Sequence, residues 1–395
     1  MPYAPSHTLI RRLQPRSFLS FGPDFPGLEL QCLNVLIGAN GSGKSNLIEA
    51  ISLLRAAPKE WREVTRKGGG VTEWIWKGEM KNGKAKIETV ISNPKGKQPL
   101  RHRMAFHAVS QTFALDDEQV ENESADQGQA DAYFYYRYQG GNPVLNTAGN
   151  GQRELARDAI EPDRSILAQR RDPEMYPELA WLAQSYESMR IYREWAFGRN
   201  TVFREPQQTD LRHDRLEEDF SNLGLFLSQL RKTPKAKKAI LEGLRDLYDG
   251  LSDFETIVGD GSVQVFFTEG DFSIPATRLS DGTLRYLCLL AILCDPCPPP
   301  LICIEEPELG LHPDILPKLA DLLVAASGRT QLIVTTHSDI LVDAMTDRPE
   351  TVVVCEKHEG RTQMKRLNKE ELTKWLEEYR LGQLWIDGQL GGKRW

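Results

Sequence analysis

The apolar positions of this chain follow two periods. Four short runs, LNVLI (Leu33–Ile37), LICIEE (Leu301–Glu306), TQLIVTTHS (Thr330–Ser338) and TVVVCEK (Thr351–Lys357), are apolar almost to their ends. Such runs predict strands buried on both faces, as in a parallel sheet. Helical spacing marks SNLIEAISLLRAA behind the first run and YLCLLAIL (Tyr286–Leu293) ahead of the second. It recurs in ELAWLAQSYESM and FSNLGLFLSQLRKTPKAKKAILEGLRDLYDGL, while NKEELTKWLEEY predicts an amphipathic helix capped by Asn368. VTEWIWKG, AKIETVISN and RMAFHAVSQTFAL, parted by glycine and lysine turns, predict an antiparallel layer, and VQVFFTEGDFSI a strand pair.

These elements predict an α/β fold in three parts. Residues 1–115 form an N-terminal lobe with the antiparallel layer. Residues 116–255 open with a loose acidic loop, DDEQVENESADQGQADA, and continue as a helical insertion. Residues 256–395 return to strand–helix alternation.

Composition narrows the reading further. A net charge of −7 argues against a uniformly basic nucleic-acid binder. DNA contact would need a local patch such as RKTPKAKK (Arg231–Lys238), Arg170 and Arg171, or Arg101 and Arg103. The longest apolar run, YLCLLAILC, is too short to span a bilayer, and the N-terminus lacks a signal peptide's apolar core. A cytoplasmic protein with no membrane partner is expected. Cys32, Cys288, Cys303 and Cys355 lie in apolar segments, and the CDPC of Cys294–Cys297 lacks the second pair of a metal site. Trp385 and Trp395 near the end would anchor an interface if exposed, or pack back on the domain.

The chemistry concentrates in four places. GANGSGKS (Gly38–Ser45) matches G-x-x-x-x-G-K-[ST] in full, between a strand and a helix. Its glycines let backbone amides curl around phosphates, and the helix N-terminus adds partial positive charge. Gly38, Asn40, Gly41, Ser42, Gly43, Lys44, Ser45 and Asn46 are the candidate nucleotide contacts, with Lys44 on the β- and γ-phosphates and Ser45 on Mg²⁺. Glu305 and Glu306 end an apolar strand, where the first acid can hold the magnesium shell and the second can orient the attacking water. His337 ends the next strand at the same expected sheet edge, where open parallel sheets bind ligands, and is a candidate γ-phosphate contact. LSDGTLR (Leu279–Arg285) is a polar turn feeding a helix, a second anion-competent site.

In this order the four motifs resemble the ABC-type ATPases of the RecF/SMC branch, and within it bacterial RecF-like or OLD-like AAA ATPases. The likeness extends over SILAQRRDPEMYPELAWL and LGQLWIDGQLGGKRW as well. It implies a P-loop NTPase head, with ATP and Mg²⁺ as cofactors. It also implies that Ser280, Asp281 and Gly282 cap the γ-phosphate of ATP held by a second chain, so that ATP joins a head-to-tail homodimer with two composite sites. Catalysis would fall to Lys44, Glu306 and His337, and magnesium to Ser45 and Glu305. Glu305 stands where SMC proteins carry aspartate, as it does in OLD-like relatives. A magnesium-sensing glutamine is implied, with Gln111 and Gln169 as candidates. Such relatives act in DNA repair or anti-phage defence, on DNA or through a separate effector nuclease or toxin. After TVVVCEK about 40 residues remain by the numbering, too few for a Toprim nuclease domain. The alternative reading is the ATP-binding subunit of a membrane transporter, which is much more compact between Gly38 and Leu279.

Overall fold

The computed structural model describes residues 8–78, 83–110, 112–139, 141–147, 151–154, 160–161, 163–196, 198, 201, 204–259 and 261–392. Its centre is a six-stranded sheet in the order Arg190–Tyr192, Leu301–Glu305, Gln331–Thr335, Leu33–Ile37, Val352–His358 and Arg361–Arg366. The first five strands run parallel, and the last pairs antiparallel as a hairpin. Alternate side chains serve opposite faces. Val35, Ile302, Ile304 and Val334 join one core with helices Asp281–Leu293 and Leu316–Ser327. Leu36, Cys303, Ile333 and Cys355 join the other with helix Lys44–Ala56. Burial on both sides explains why these strands read as unbroken apolar runs.

An eight-stranded sheet flanks this core, ordered Leu28–Glu29, Ile10–Arg16, Ala85–Ile91, Leu100–Val109, Thr112–Asn122, Phe134–Gln139, Asn142–Thr147 and Gly151–Glu154. Its pairings are all antiparallel. The expected division at residue 115 therefore falls inside a strand. The acidic stretch is not loose over Asp116–Asn122, because basic side chains on and beside the neighbouring strands pair with its acids. Glu121 pairs with Arg101 at 2.8 Å and Arg103 at 2.6 Å, and Asp116 with Lys84 at 2.9 Å and His107 at 2.8 Å. VTEWIWKG is not a strand either. Val71–Trp74 is a 3₁₀ turn whose Trp74 ring is buried edge-on against Phe18, and only Ile75 makes a bridge.

A smaller sheet joins Gln207–Gln208, Ser262–Glu269, Leu251–Gly259 and Phe272–Pro275. Leu251–Gly259 extends strand structure into the segment read as helical and crosses the expected boundary at 255. Helices Pro177–Ser188, Leu223–Arg231 and Pro234–Leu247 lie where the spacing placed them. Asn368 caps helix Lys369–Leu376 through the amide of Glu370. Trp385 packs back, its indole donating to the Gly392 carbonyl at 3.0 Å, while Trp395 lies outside the described residues. Among the described residues no helix is long and apolar enough to cross a membrane.

Candidate active site

Strand Leu33–Ile37 delivers the glycine loop to the carboxyl edge of the sheet. Gly43 ends that loop at φ 105°, where a Cβ would lie 2.1 Å from the Thr362 hydroxyl. Only glycine fits so close beneath the hairpin strand. Helix Lys44–Ala56 then starts with no side-chain cap, leaving its first amides open to an anion. Lys44 is buried and its ammonium donates to the carbonyls of Gly38 at 2.8 Å and Ala39 at 3.0 Å. Burial lowers its pKa, against the pull of nearby acidic groups that include Glu306, Glu308 and Glu305. Asn40 and Gly41 are exposed at the loop tip, and Ser42 is buried with its carbonyl accepting from Thr362 at 2.9 Å. The Asn46 amide donates to Ser20 at 2.6 Å, so it braces the loop from behind.

The acidic strand lies two places away, with Gln331–Thr335 between. Glu305 pairs in register with Thr335, and Thr335 with Leu36, which sets the three strand ends side by side. Ser45 donates its hydroxyl to Glu305 Oε2 at 3.2 Å, while Glu305 Oε1 is buried with no hydrogen bond to a described residue. Burial raises the pKa of this carboxyl, with Arg193 at 3.9 Å and the Ser45 bond opposing it. One hydroxyl and one carboxylate could hold magnesium, which keeps several waters and takes few protein ligands. Among the described residues no group of three or more metal-binding side chains stands together.

Glu306 takes a left-handed backbone conformation, φ 47°, unusual for a residue with a long side chain. Its amide donates to the Thr335 carbonyl at 3.0 Å, and its carboxylate lies 3.6 Å from His337 Nε2. Lys44, Ser45, Glu305, Glu306 and His337 thus meet at one edge. The turn before helix Asp281–Leu293 is built differently. Ser280 is the N-cap, accepting from the Thr283 amide at 3.1 Å, and Asp281 pairs with Arg204. Gly282 lies so close to the Gly310 carbonyl that a Cβ would come within 2.8 Å.

Four further residues attach to this centre. Arg193 bonds Glu49 beside Glu305. The Trp195 indole donates to the Glu305 carbonyl at 2.7 Å. Arg285, from the LSDGTLR stretch, lies 4.6 Å over the Trp195 ring and donates to the Glu306 carbonyl at 3.2 Å. Glu308 is the fourth. No motif marks Arg193 or Trp195, whereas Arg285 lies within LSDGTLR and Glu308 follows Glu306 by two residues. The Gln169 amide bonds its own loop, at Arg164 and Glu161, and Gln111 lies outside the described residues. The basic clusters are largely spoken for: Lys237 pairs with Asp253 at 2.9 Å, Lys238 with Glu242 at 3.6 Å, and Arg171 with Glu187 at 2.9 Å.

Solved structures share this architecture. The Smc head bound to the C-winged helix domain of ScpA matches with a TM-score of 0.60 at 15% identity, over 93% of this chain and 99% of that one. An Smc head with an extended coiled coil, bound to the C-terminal domain of ScpA derived from Pyrococcus furiosus, gives 0.57 at 13%, over 94% and 99%. An Smc head with a coiled coil and joint derived from Pyrococcus yayanosii gives 0.50 at 13%, over 94% and 99%. No curated protein matches the chain by sequence. A family model described as "AAA domain, putative AbiEii toxin, Type IV TA system" matches residues 33–343, from the P-loop strand past His337. The chain therefore belongs to this AAA family and has the P-loop ATPase fold of an Smc-type head.

Proposed function

We propose that this protein binds and hydrolyses Mg²⁺–ATP, and that ATP joins two copies into a dimer that acts as a switch on a separate effector or on DNA. The observation that carries the reading is the meeting of Lys44, Ser45, Glu305, Glu306 and His337 at the carboxyl ends of three neighbouring parallel strands. Phosphoryl transfer asks chiefly for positioning and charge neutralisation. Magnesium, when bound, would draw charge from the phosphate oxygens. Lys44, released from the loop carbonyls, neutralises the β- and γ-oxygens. Ser45 and Glu305 hold the metal. Glu306 orients the attacking water and takes its proton, and His337 bonds the γ-phosphate.

Ser280 is exposed and, in this chain, only caps its own helix. Its hydroxyl bonds the amide and hydroxyl of Thr283 at the surface, a pairing that a phosphate presented by a second copy could share or replace, which supports the dimer. The family description names a type IV TA system, and that favours a defence role over repair and over the transporter subunit. The paired state of the lysine cluster favours an effector over DNA as the direct partner.

Light scattering of Glu306→Gln with and without Mg²⁺–ATP tests this. Blocked hydrolysis should trap a dimer that wild type forms only transiently. Lys44→Ala should lower kcat by about a hundredfold or more, the scale of losing one preorganised charge contact. A Glu306→Gln variant that binds ATP yet stays monomeric refutes the dimer, and turnover surviving in Lys44→Ala refutes the site.

A further inference from the structure

Beyond the two acids at its end, the strand Leu301–Glu305 leads into a loop with a third carboxylate, Glu308. Its Oε1 accepts two hydrogen bonds of 2.7 Å, from the backbone amide of His337 and from the hydroxyl of Thr336. That hydroxyl in turn accepts from the Ser338 amide at 3.0 Å. The segment carrying His337 therefore hangs from Glu308 by bonds that a carboxylate strengthens. The other oxygen, Oε2, is buried with no hydrogen bond to a described residue. Burial raises the pKa of the group, a sign that its charge is held at a cost.

The same loop touches the helix that begins after Ser280. The Glu306 carbonyl accepts from Arg285 at 3.2 Å, and the Gly310 carbonyl rests against Gly282. One short loop is thus tied to that helix at both ends and to His337 in the middle. We infer that Glu308 is a positioning residue for hydrolysis: it sets the His337 imidazole against Glu306 and passes to it any displacement of the helix that starts at Asp281. This rests on the proposed ATPase reading, in which His337 and Glu306 serve the reaction.

The test is a mutant cycle on steady-state ATP hydrolysis. Wild-type turnover that Lys44→Ala abolishes establishes the ATPase first, so its failure is seen separately. Glu308→Ala should then lower kcat by about 10- to 100-fold, the scale of a misplaced reacting group. The Kd for a fluorescent ATP analogue should stay within about twofold, since binding does not use Glu308. Glu308→Gln keeps a carbonyl oxygen that can accept both bonds, and should restore kcat to within about threefold of wild type. In a His337→Ala background, Glu308→Ala should have little further effect, because residues acting through one another are not additive. If Glu308→Ala fails to fold, Thr336→Val removes one of the two bonds in an isosteric side chain and should lower kcat likewise. An equal loss with and without His337, a Glu308→Gln as slow as the alanine, or unchanged kcat in the alanine overturns the proposal.

Discussion

At residue scale, Gly282 has two competing claims on its missing side chain. The resemblance to RecF/SMC-branch ATPases asks for a close approach to a phosphate brought by another chain. Within this chain, the Gly310 carbonyl already takes the space, at 2.8 Å from where a Cβ would stand. The two claims predict different stabilities. In an open helix, alanine for glycine gains up to about 1 kcal/mol. Here the methyl would press on backbone, and overpacking of that kind costs about 1–3 kcal/mol. Gly282→Ala should therefore lower the urea midpoint of the nucleotide-free protein. A raised midpoint would mean that the loop yields freely and that the glycine matters only in an assembly. The surrounding residues divide in the same way by what a sequence can carry. Gly38 to Ser45 and the pair Glu305–Glu306 could be singled out as candidates because each group is contiguous and follows a recognisable spacing. Arg193 and Trp195 were not, because their contacts with Glu49 and Glu305 exist only once strand Arg190–Tyr192 pairs with Leu301–Glu305.

At the scale of elements, the flanking sheet is held to the helices beside it by a buried polar knot. Glu118, fully buried on strand Thr112–Asn122, accepts from the Ile166 amide at 2.8 Å and from the Ser165 hydroxyl, and lies 3.3 Å from His102 Nε2. The other nitrogen of His102 meets the Tyr186 hydroxyl at 2.9 Å, on helix Pro177–Ser188. Removing one member of such a knot strands the rest without water. Glu118→Ala should cost about 3–5 kcal/mol in equilibrium unfolding, because it strands several buried donors at once, whereas Glu118→Gln keeps the shape and an accepting oxygen and should cost about 1–2 kcal/mol. Equal small losses for both would show that the knot does not join the elements. The same knot explains a misreading. Taken alone, DDEQVENES is a polar window with nothing to bury, and its length suits a loop. Its acids become strand residues only because Arg101, His102 and Arg103 stand opposite, on a neighbour that a local window does not contain. The central strands escaped this problem because both of their faces are apolar. The strand Leu251–Gly259 did not, since its exposed Ile257 and Val258 follow a helical stretch and carry no inside–outside rhythm.

On the scale of the whole molecule, the fold presents a reacting edge and, elsewhere on the chain, an exposed cap residue that this edge does not use. If the two belong to one reaction, they do so across a symmetric pair of chains. A twofold axis then builds two equal sites, each taking Lys44 from one copy and Ser280 from the other. Symmetry makes the consequence countable. Lys44→Ala spoils the P-loop half of every site it enters, and Ser280→Arg spoils the cap half by filling it. Each homodimer is inactive at both of its sites. In a one-to-one mixture about half of the dimers pair the two variants, and each such pair regains one intact site from two, so about a quarter of wild-type turnover should return on mixing. A site complete within one chain predicts instead that the mixture stays as inactive as its parts. Recovery should rise with total protein concentration, because the active species is a dimer and mass action governs how much of it forms. Rates measured across a dilution series of the mixture therefore read both the composite site and the assembly that makes it.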